Sequence, residues 1–265
     1  MTDPFAYLAP EPEPTSAQEL VTKPRCYAPP TGRWGFGDVG WFVLVLVASI
    51  VATVVLIVPA VVLFPDAFND AGVDGSTAAG SWLMTVSQVL FFAGMAAWPL
   101  ITGRWKADGW RRAFGFQVSW RAVGIGLGGG IVTLIAMTVL TTVTANLLNR
   151  EVDSAGAVAA DSMTGSSVAF ALFLLLIAVG APFVEEITFR GLVWGAAVKH
   201  GWSPWLATVI ASVPFALLHV EPLRVAPLVA AGLVLGTVRQ FGGLGAAMLA
   251  HAVVNVIGVI SIASS

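Results

Sequence analysis

Long apolar runs recur along most of this chain, and they restrict its possible folds more than any other feature. Runs of about 18 or more apolar residues are long enough to cross the roughly 30 Å hydrocarbon layer of a bilayer as helices. The runs cover residues 41–64, 80–103, 122–147, 166–184, 204–220, 225–240 and 244–262. We therefore predict an all-α, polytopic membrane protein with seven transmembrane helices, or eight if the segment after Glu185 forms a separate crossing.

The composition supports the bilayer as the solvent. Hydrophobic residues make up 57% of the 265 residues and charged residues 11%, against about 25% charged residues in soluble domains. The net charge of −2 and the lack of a basic block exclude nucleic acid as a partner. Abundant Ala, Gly and Val, with Arg preferred over Lys, favours a bacterial source and the bacterial plasma membrane.

Composition also divides the chain into three parts. Residues 1–36 contain seven prolines, at positions 4, 10, 12, 14, 24, 29 and 30, which predicts a disordered cytoplasmic tail. Residues 37–165 form the N-terminal transmembrane helices. Residues 166–265 form a membrane core that contains the unusual polar groups.

The distribution of Lys and Arg between the loops predicts the orientation. The tail and the loop after the second span are basic, whereas the loop after the first span contains Asp66, Asp70 and Asp74 and no Lys or Arg. Alternation then leaves only Arg150 and Arg224 of the 13 basic residues outside. We predict a cytoplasmic N-terminus and an external C-terminus.

Several ionisable or strongly polar side chains fall in or at the ends of the predicted spans, where each costs a few kcal/mol unless it has a partner or a function. Glu186 and Arg190 are four residues apart and share a helix face, so they are expected to pair. Glu185 points elsewhere among apolar neighbours, which suits a general base for water. The alternative is an ordinary interfacial ion pair with a solvated second carboxylate.

Two histidines and an asparagine complete this set. His219 follows Phe215 by one helical turn, and His251 and Asn255 project from one side of the last span. Each could instead pack or form hydrogen bonds between helices. Small residues in the last two spans permit close helix packing, so one cavity could hold a carboxylate, two imidazoles and an amide. Such a cavity has what peptide hydrolysis needs.

These residues also resemble the CAAX-protease and bacteriocin-processing family (CPBP, or Abi). The segment from Glu185 to Arg190 is similar to the family's E-E-x-x-x-R motif. The segment from Phe215 to His219 is similar to its F-x-x-x-H motif, and the segment from His251 to Asn255 is similar to its H-x-x-x-N motif. The resemblance covers about residues 178–257. It implies that Glu185 and His219 activate a water and that His251 and Asn255 stabilise the oxyanion. Glu186, Arg190 and Phe215 then support the site, and no metal or cofactor is expected.

The resemblance predicts an intramembrane endopeptidase that acts on a protein or peptide. Members of the family cleave prenylated CAAX proteins, process peptides to their mature forms, or confer immunity to bacteriocins. The motifs do not separate these roles. A zinc protease is an alternative, because two His and one Glu form a familiar zinc set, although no H-E-x-x-H is present. The remaining alternatives are a proton-relay transporter and a non-catalytic immunity protein. The sequence leaves the oligomeric state open.

Overall fold

The computed structural model describes residues 30–64, 67–68 and 75–264, and all regular secondary structure in these residues is helical. The helices are α1 (Phe36–Leu63), α2 (Ala78–Trp105), α3 (Trp110–Ala113), α4 (Trp120–Leu148), α5 (Ala155–Ser162), α6 (Ser167–Lys199), α7 (Pro204–Leu218) and α8 (Val225–Ala263). A 3₁₀ turn at Pro222–Arg224 leads into α8. The all-α prediction is confirmed.

Ser or Thr residues set the starts of most of the long helices. Thr77, Ser119, Ser166 and Ser203 precede α2, α4, α6 and α7, and each side-chain oxygen accepts a hydrogen bond from a backbone N–H in the first turn. Such caps satisfy donors that have no partner within the helix. Short polar residues between apolar runs therefore determine where these helices begin.

Five helices are long and apolar enough to cross a membrane, namely α1, α2, α4, α6 and the segment Pro222–Ala263. Helix α7 is apolar but has only 15 residues, so it is not among these five. The predicted count of seven or eight is not confirmed. The difference comes from the short α7 and from two predicted spans that form one interrupted segment, α8.

Helix α8 is interrupted at Gly243, whose φ of 82° and ψ of 176° are not helical. Backbone in this region is accessible essentially only to glycine. The two parts of α8 then lie side by side, since a Cβ placed on Gly129 of α4 would contact both Val238 and Ala250. The predicted spans 225–240 and 244–262 are therefore the two arms of a helical hairpin.

Helix α6 continues without interruption past Glu185 to Lys199. The possible eighth crossing after Glu185 thus has no helix of its own in the described residues. Two stretches of α6 have the wider π-helical geometry, Leu176–Gly180 and Glu186–Val193. Helix α2 runs parallel to α6, as shown by hydrogen bonds from Thr85 to the Ala169 carbonyl and from Thr188 to the Met95 carbonyl.

The predicted tail extends too far along the chain, because residues 30–36 belong to the folded region. The N–H of Thr31 donates to the carbonyl of Ala113, and Lys199 Nζ donates to the carbonyl of Trp34 at 2.7 Å. The indole of Trp34 is buried and packs edge-on against Phe114. Proline content alone did not reveal these contacts. Residues 1–29 of the predicted tail lie outside the described residues.

Two arginines that we counted on the cytoplasmic side are buried within the helix bundle. Arg190 is 1% exposed and Arg239 is 0% exposed. Arg239 donates from Nη2 to the carbonyl of Phe114 at 2.8 Å, and its guanidinium lies 4.7 Å from the ring centre of Trp194. Buried arginines with protein partners do not report which side of a membrane they face, so the orientation rests on the remaining basic residues.

Candidate active site

Both adjacent carboxylates of α6 approach the same imidazole, that of His251. Glu186 Oε1 accepts a hydrogen bond from His251 Nδ1 at 2.9 Å, and Glu185 Oε2 lies 3.9 Å from His251 Nε2. In a regular α-helix, neighbouring side chains point about 100° apart. The π-helical stretch that begins at Glu186 changes this spacing, and such stretches are frequent at functional sites.

Glu186 and Arg190 form a fully buried ion pair. Arg190 Nη1 donates to Glu186 Oε1 at 2.7 Å, and the two side chains are 1% and 0% exposed. Arg190 Nη2 also donates to the carbonyl of Gly232 at 3.2 Å. A Cβ on Gly232 would lie 2.6 Å from the Cβ of Ser212, so only glycine allows α7 and α8 to approach this closely. The pair thus joins α6 to α8 and holds the carboxylate that orients His251.

Phe215 of α7 lies at the centre of the site. Its ring contacts the rings of His219 and His251, with centroids 5.0 and 5.9 Å away, and the Arg190 guanidinium lies 4.3 Å from its centroid. The guanidinium is held by both its ion pair and a cation–π contact. Phe215 therefore packs the predicted supporting residues against the two predicted catalytic imidazoles.

His219 lies at the C-terminal end of α7, and its Nδ1 is 2.8 Å from the carbonyl oxygen of Phe215. Because a carbonyl only accepts hydrogen bonds, Nδ1 is the donor and carries a proton. This leaves Nε2 available for a substrate or a water. The next residue, Val220, has a φ of +53°, an unusual conformation for a β-branched residue.

Asn255 binds a part of α6 that the sequence did not single out. Its Nδ2 donates to the carbonyl of Ile177 at 2.9 Å. Ile177 lies in the first π-helical stretch, where the usual helical hydrogen bonds are displaced. The amide carries two hydrogens, so one remains for another acceptor.

Glu185, His219, His251 and Asn255 line one cavity of about 710 Å³. Its walls are mainly apolar and include residues from the first half of the chain, such as Phe91 of α2 and Met137 of α4. Glu185 Oε2 is buried and has no hydrogen-bond partner among the described residues. A buried acceptor of this kind carries a free-energy cost, which a reacting water could offset.

Sequence analysis missed several residues around this site. It assigned no role to the first 165 residues, yet Ser87 and Gln88 line the cavity, as do Glu221 and Arg224 after α7. The polar residues within the otherwise apolar run 80–103 were the available indication that this span contributes to the site. Arg239 was counted only as a cytoplasmic basic residue, although it donates to the Arg190 carbonyl at 3.4 Å from the adjacent helix.

Comparison with known families supports the class of protein that this site indicates. Residues 167–257 match the family model described as type II CAAX prenyl endopeptidase, Rce1-like. This range contains all three motifs and confirms their resemblance to CAAX proteases of the membrane. It covers roughly a third of the chain. Comparisons with curated proteins and with solved structures gave no match.

Proposed function

We propose that this protein is an intramembrane endopeptidase that hydrolyses peptide bonds with a water activated by Glu185. One observation carries the proposal: Glu185 Oε2, a buried carboxylate oxygen without a hydrogen-bond partner among the described residues, lies in one apolar cavity with two imidazoles and an amide. The family match adds that related proteins are CAAX prenyl endopeptidases. The apolar walls suit a substrate segment that carries aliphatic or lipid groups.

The geometry supports a stepwise reaction. A water held near Glu185 Oε2 and His219 Nε2 loses a proton to the carboxylate as its oxygen attacks the peptide carbon. The second Asn255 hydrogen and the Nε2–H of His251 stabilise the negative charge on the former carbonyl oxygen. Because Nδ1 of His251 already donates to Glu186, this role requires a proton on both ring nitrogens of His251. The proton then passes to the leaving nitrogen as the C–N bond breaks, which yields a carboxylate and an amine. Glu186 keeps His251 in place through Nδ1.

The zinc alternative makes a different prediction about chelators. Among the described residues, no three His, Cys, Asp or Glu side chains are arranged to hold a metal ion. We expect cleavage of a membrane peptide substrate to continue in phenanthroline or EDTA. Loss of cleavage that added zinc restores would make Glu185, His219 and His251 metal ligands and would contradict the proposed mechanism.

Asn255→Ala is expected to lower kcat about a hundredfold to a thousandfold, because it removes one donor to the developing oxyanion. The variant also loses the hydrogen bond to Ile177, so its thermal stability must be compared with that of the wild type. Asn255→Asp is a second test, because it keeps the size of the side chain, removes the Nδ2 donor and should also lower kcat. Normal kcat in both variants would remove Asn255 from the mechanism.

We further propose seven crossings, in which α7 and the two arms of α8 each count as one. The basic residues at the C-terminal end of α2 and between α2 and α4, namely Arg104, Lys106, Arg111 and Arg112, support a cytoplasmic N-terminus and therefore an external C-terminus. Reporter fusions at the two ends are expected to report opposite sides. Both reporters on the same side would require an even number of crossings.

The transporter and immunity alternatives rest on the same polar residues. Transporters often contain two halves with similar interrupted helices, whereas the polar site residues here belong to the second half of the chain. A non-catalytic immunity protein would share the fold and lack turnover. Measured cleavage therefore separates the proposal from both alternatives.

A further inference from the structure

We propose that the carboxamide of Gln88 binds one peptide unit of the substrate main chain, a few residues from the cleaved bond. Gln88 belongs to α2 and lines the same cavity as Glu185 and His219. It lies outside residues 167–257, the range of the family match, so the family motifs assign it no role. The inference rests on the proposed peptidase function and adds a residue that positions the substrate.

A packed face of α2 brings Gln88 to the cavity. Positions 81, 85, 88, 92 and 95 recur every three or four residues, so their side chains share one face of the helix. This face packs against α6, since the Thr85 hydroxyl donates to the carbonyl of Ala169 at 3.1 Å. A Cβ placed on Gly180 of α6 would likewise lie 3.4 Å from the ring of Phe92. The other four positions are buried, whereas Gln88 is half-buried because the cavity opens beside it.

The amide of Gln88 makes no hydrogen bond with any described residue. Gln88 is the eleventh of the 28 residues of α2, about 15 Å from the start of the helix, too far for its amide to reach the membrane surface. A polar group in such a place carries a free-energy cost unless it has a partner.

The other polar side chains that α1, α2 and α4 add to the cavity wall are hydroxyls. Each of them donates to a carbonyl of its own helix; they belong to Thr53, Ser87 and Thr133. Among the described residues of these three helices, Gln88 therefore contributes the one polar side chain in the cavity wall whose donors and acceptor are all available to a ligand.

A carboxamide is complementary to a peptide unit. Its oxygen accepts a hydrogen bond from an N–H, and its nitrogen donates to a carbonyl oxygen. A substrate main chain that enters a mainly apolar cavity loses its hydrogen bonds to water, and each peptide group left without a partner weakens binding. Glu185 and the other proposed catalytic groups act at the cleaved bond, so the peptide groups farther along the substrate need different partners. Gln88 can supply both bonds to one of them.

The contact between Phe92 and Gly180 sets the distance between Gln88 and the proposed base. Gln88 precedes Phe92 by four residues, about 6 Å along α2, and Glu185 follows Gly180 by five residues, about 7 Å along α6. The two helices run parallel, so these separations amount to about 13 Å along the bundle. An extended chain covers this distance with about four residues. Gln88 therefore binds a peptide unit about three or four residues from the cleaved bond.

Ester analogues of one substrate test this contact, because an ester in place of a peptide bond lacks the N–H and has a weaker carbonyl acceptor. The probe is an internally quenched peptide that ends in S-farnesyl-Cys-Val-Ile-Met, the substrate class of the matched family. Each analogue carries a single ester, and together they replace every peptide bond except the cleaved one. KM and kcat are measured in proteoliposomes.

Three variants are compared with the wild type. Gln88→Met keeps the approximate size of the side chain without its amide, and Gln88→Asn keeps the amide on a shorter stem. Ser87→Ala is the matched control, because Ser87 lines the same cavity but its hydroxyl donates to the carbonyl of Leu83 at 2.6 Å.

We expect Gln88→Met to raise KM about tenfold and to change kcat by less than about threefold, because the lost bonds hold the substrate equally before and during the reaction. In the wild type, one ester about three or four residues from the cleaved bond should raise KM by a similar factor. Gln88→Met should not distinguish that ester from the parent peptide, and Gln88→Asn should retain part of the difference. Ser87→Ala should match the wild type, and all variants should keep its thermal stability.

An unchanged KM in Gln88→Met would overturn the contact. So would an ester effect that has the same size in Gln88→Met and in the wild type at every position. In both cases cleavage that depends on Glu185 would leave the peptidase function standing. If the wild type leaves the probe uncut, the proposed function is wrong for this class of substrate, and the contact is overturned with it.

Discussion

Glu185→Gln is expected to lower kcat about 10⁴-fold while the protein remains folded. Glutamine has nearly the same size but cannot take a proton from the attacking water, and general base catalysis contributes up to about that factor. Little loss of stability is expected, because Glu185 Oε2 makes no hydrogen bond with the described residues. Kinetics on a reconstituted enzyme with a fluorogenic peptide would measure the change.

Glu151→Gln is the matched control, because Glu151 is exposed near the end of α4. It should retain the wild-type kcat and the wild-type thermal stability. A Glu185→Gln enzyme that turns over within tenfold of the wild type would remove Glu185 from the role of base.

Glu186→Gln is expected to lower the free energy of unfolding by about 3–5 kcal/mol, because it leaves the buried Arg190 charge without its anion. The double variant Glu186→Gln/Arg190→Met removes both charges and should recover most of that loss. Recovery of activity is not expected, because His251 still lacks the carboxylate that accepts from Nδ1. Equilibrium unfolding by SDS in mixed micelles would measure both variants.

An exposed pair within the same chain provides the control for this effect. Asp108 and Arg112 have the same spacing, with side chains 85% and 77% exposed. Asp108→Asn should change the free energy of unfolding by less than about 1 kcal/mol. An equally small effect of Glu186→Gln on the free energy of unfolding would contradict strong energetic coupling between Glu186 and Arg190.

Local spacing predicted part of this site, because helical periodicity alone determines which nearby residues share a face. Glu186 and Arg190 are four residues apart, and their side chains form an ion pair. The same periodicity placed Glu185 away from Glu186. Both nevertheless approach His251, because α6 changes to π-helical geometry at Glu186. That change has no recognisable pattern in the apolar sequence around it.

Long-range features were harder to predict for a related reason. Apolar spans have no alternation of polar and apolar faces, so the apolar residues of the run 80–103 gave no sign that Phe91 would line the cavity. The two runs on either side of Gly243 were visible as spans, but the helical hairpin depends on the unusual backbone of that one glycine. Likewise, the length of the apolar run 204–220 did not reveal that α7 has only 15 residues.

The central claim is that this chain cuts peptide bonds with Glu185 as the base, and mass spectrometry of newly formed peptide ends tests it most directly. Wild-type and Glu185→Gln proteins, reconstituted in separate proteoliposomes, are incubated with the same bacterial membrane peptides in water enriched in ¹⁸O. The account predicts new C-termini labelled with ¹⁸O in the wild-type sample, in the presence of phenanthroline, and none of them with Glu185→Gln. Identical sets of peptide ends in the two samples would contradict it.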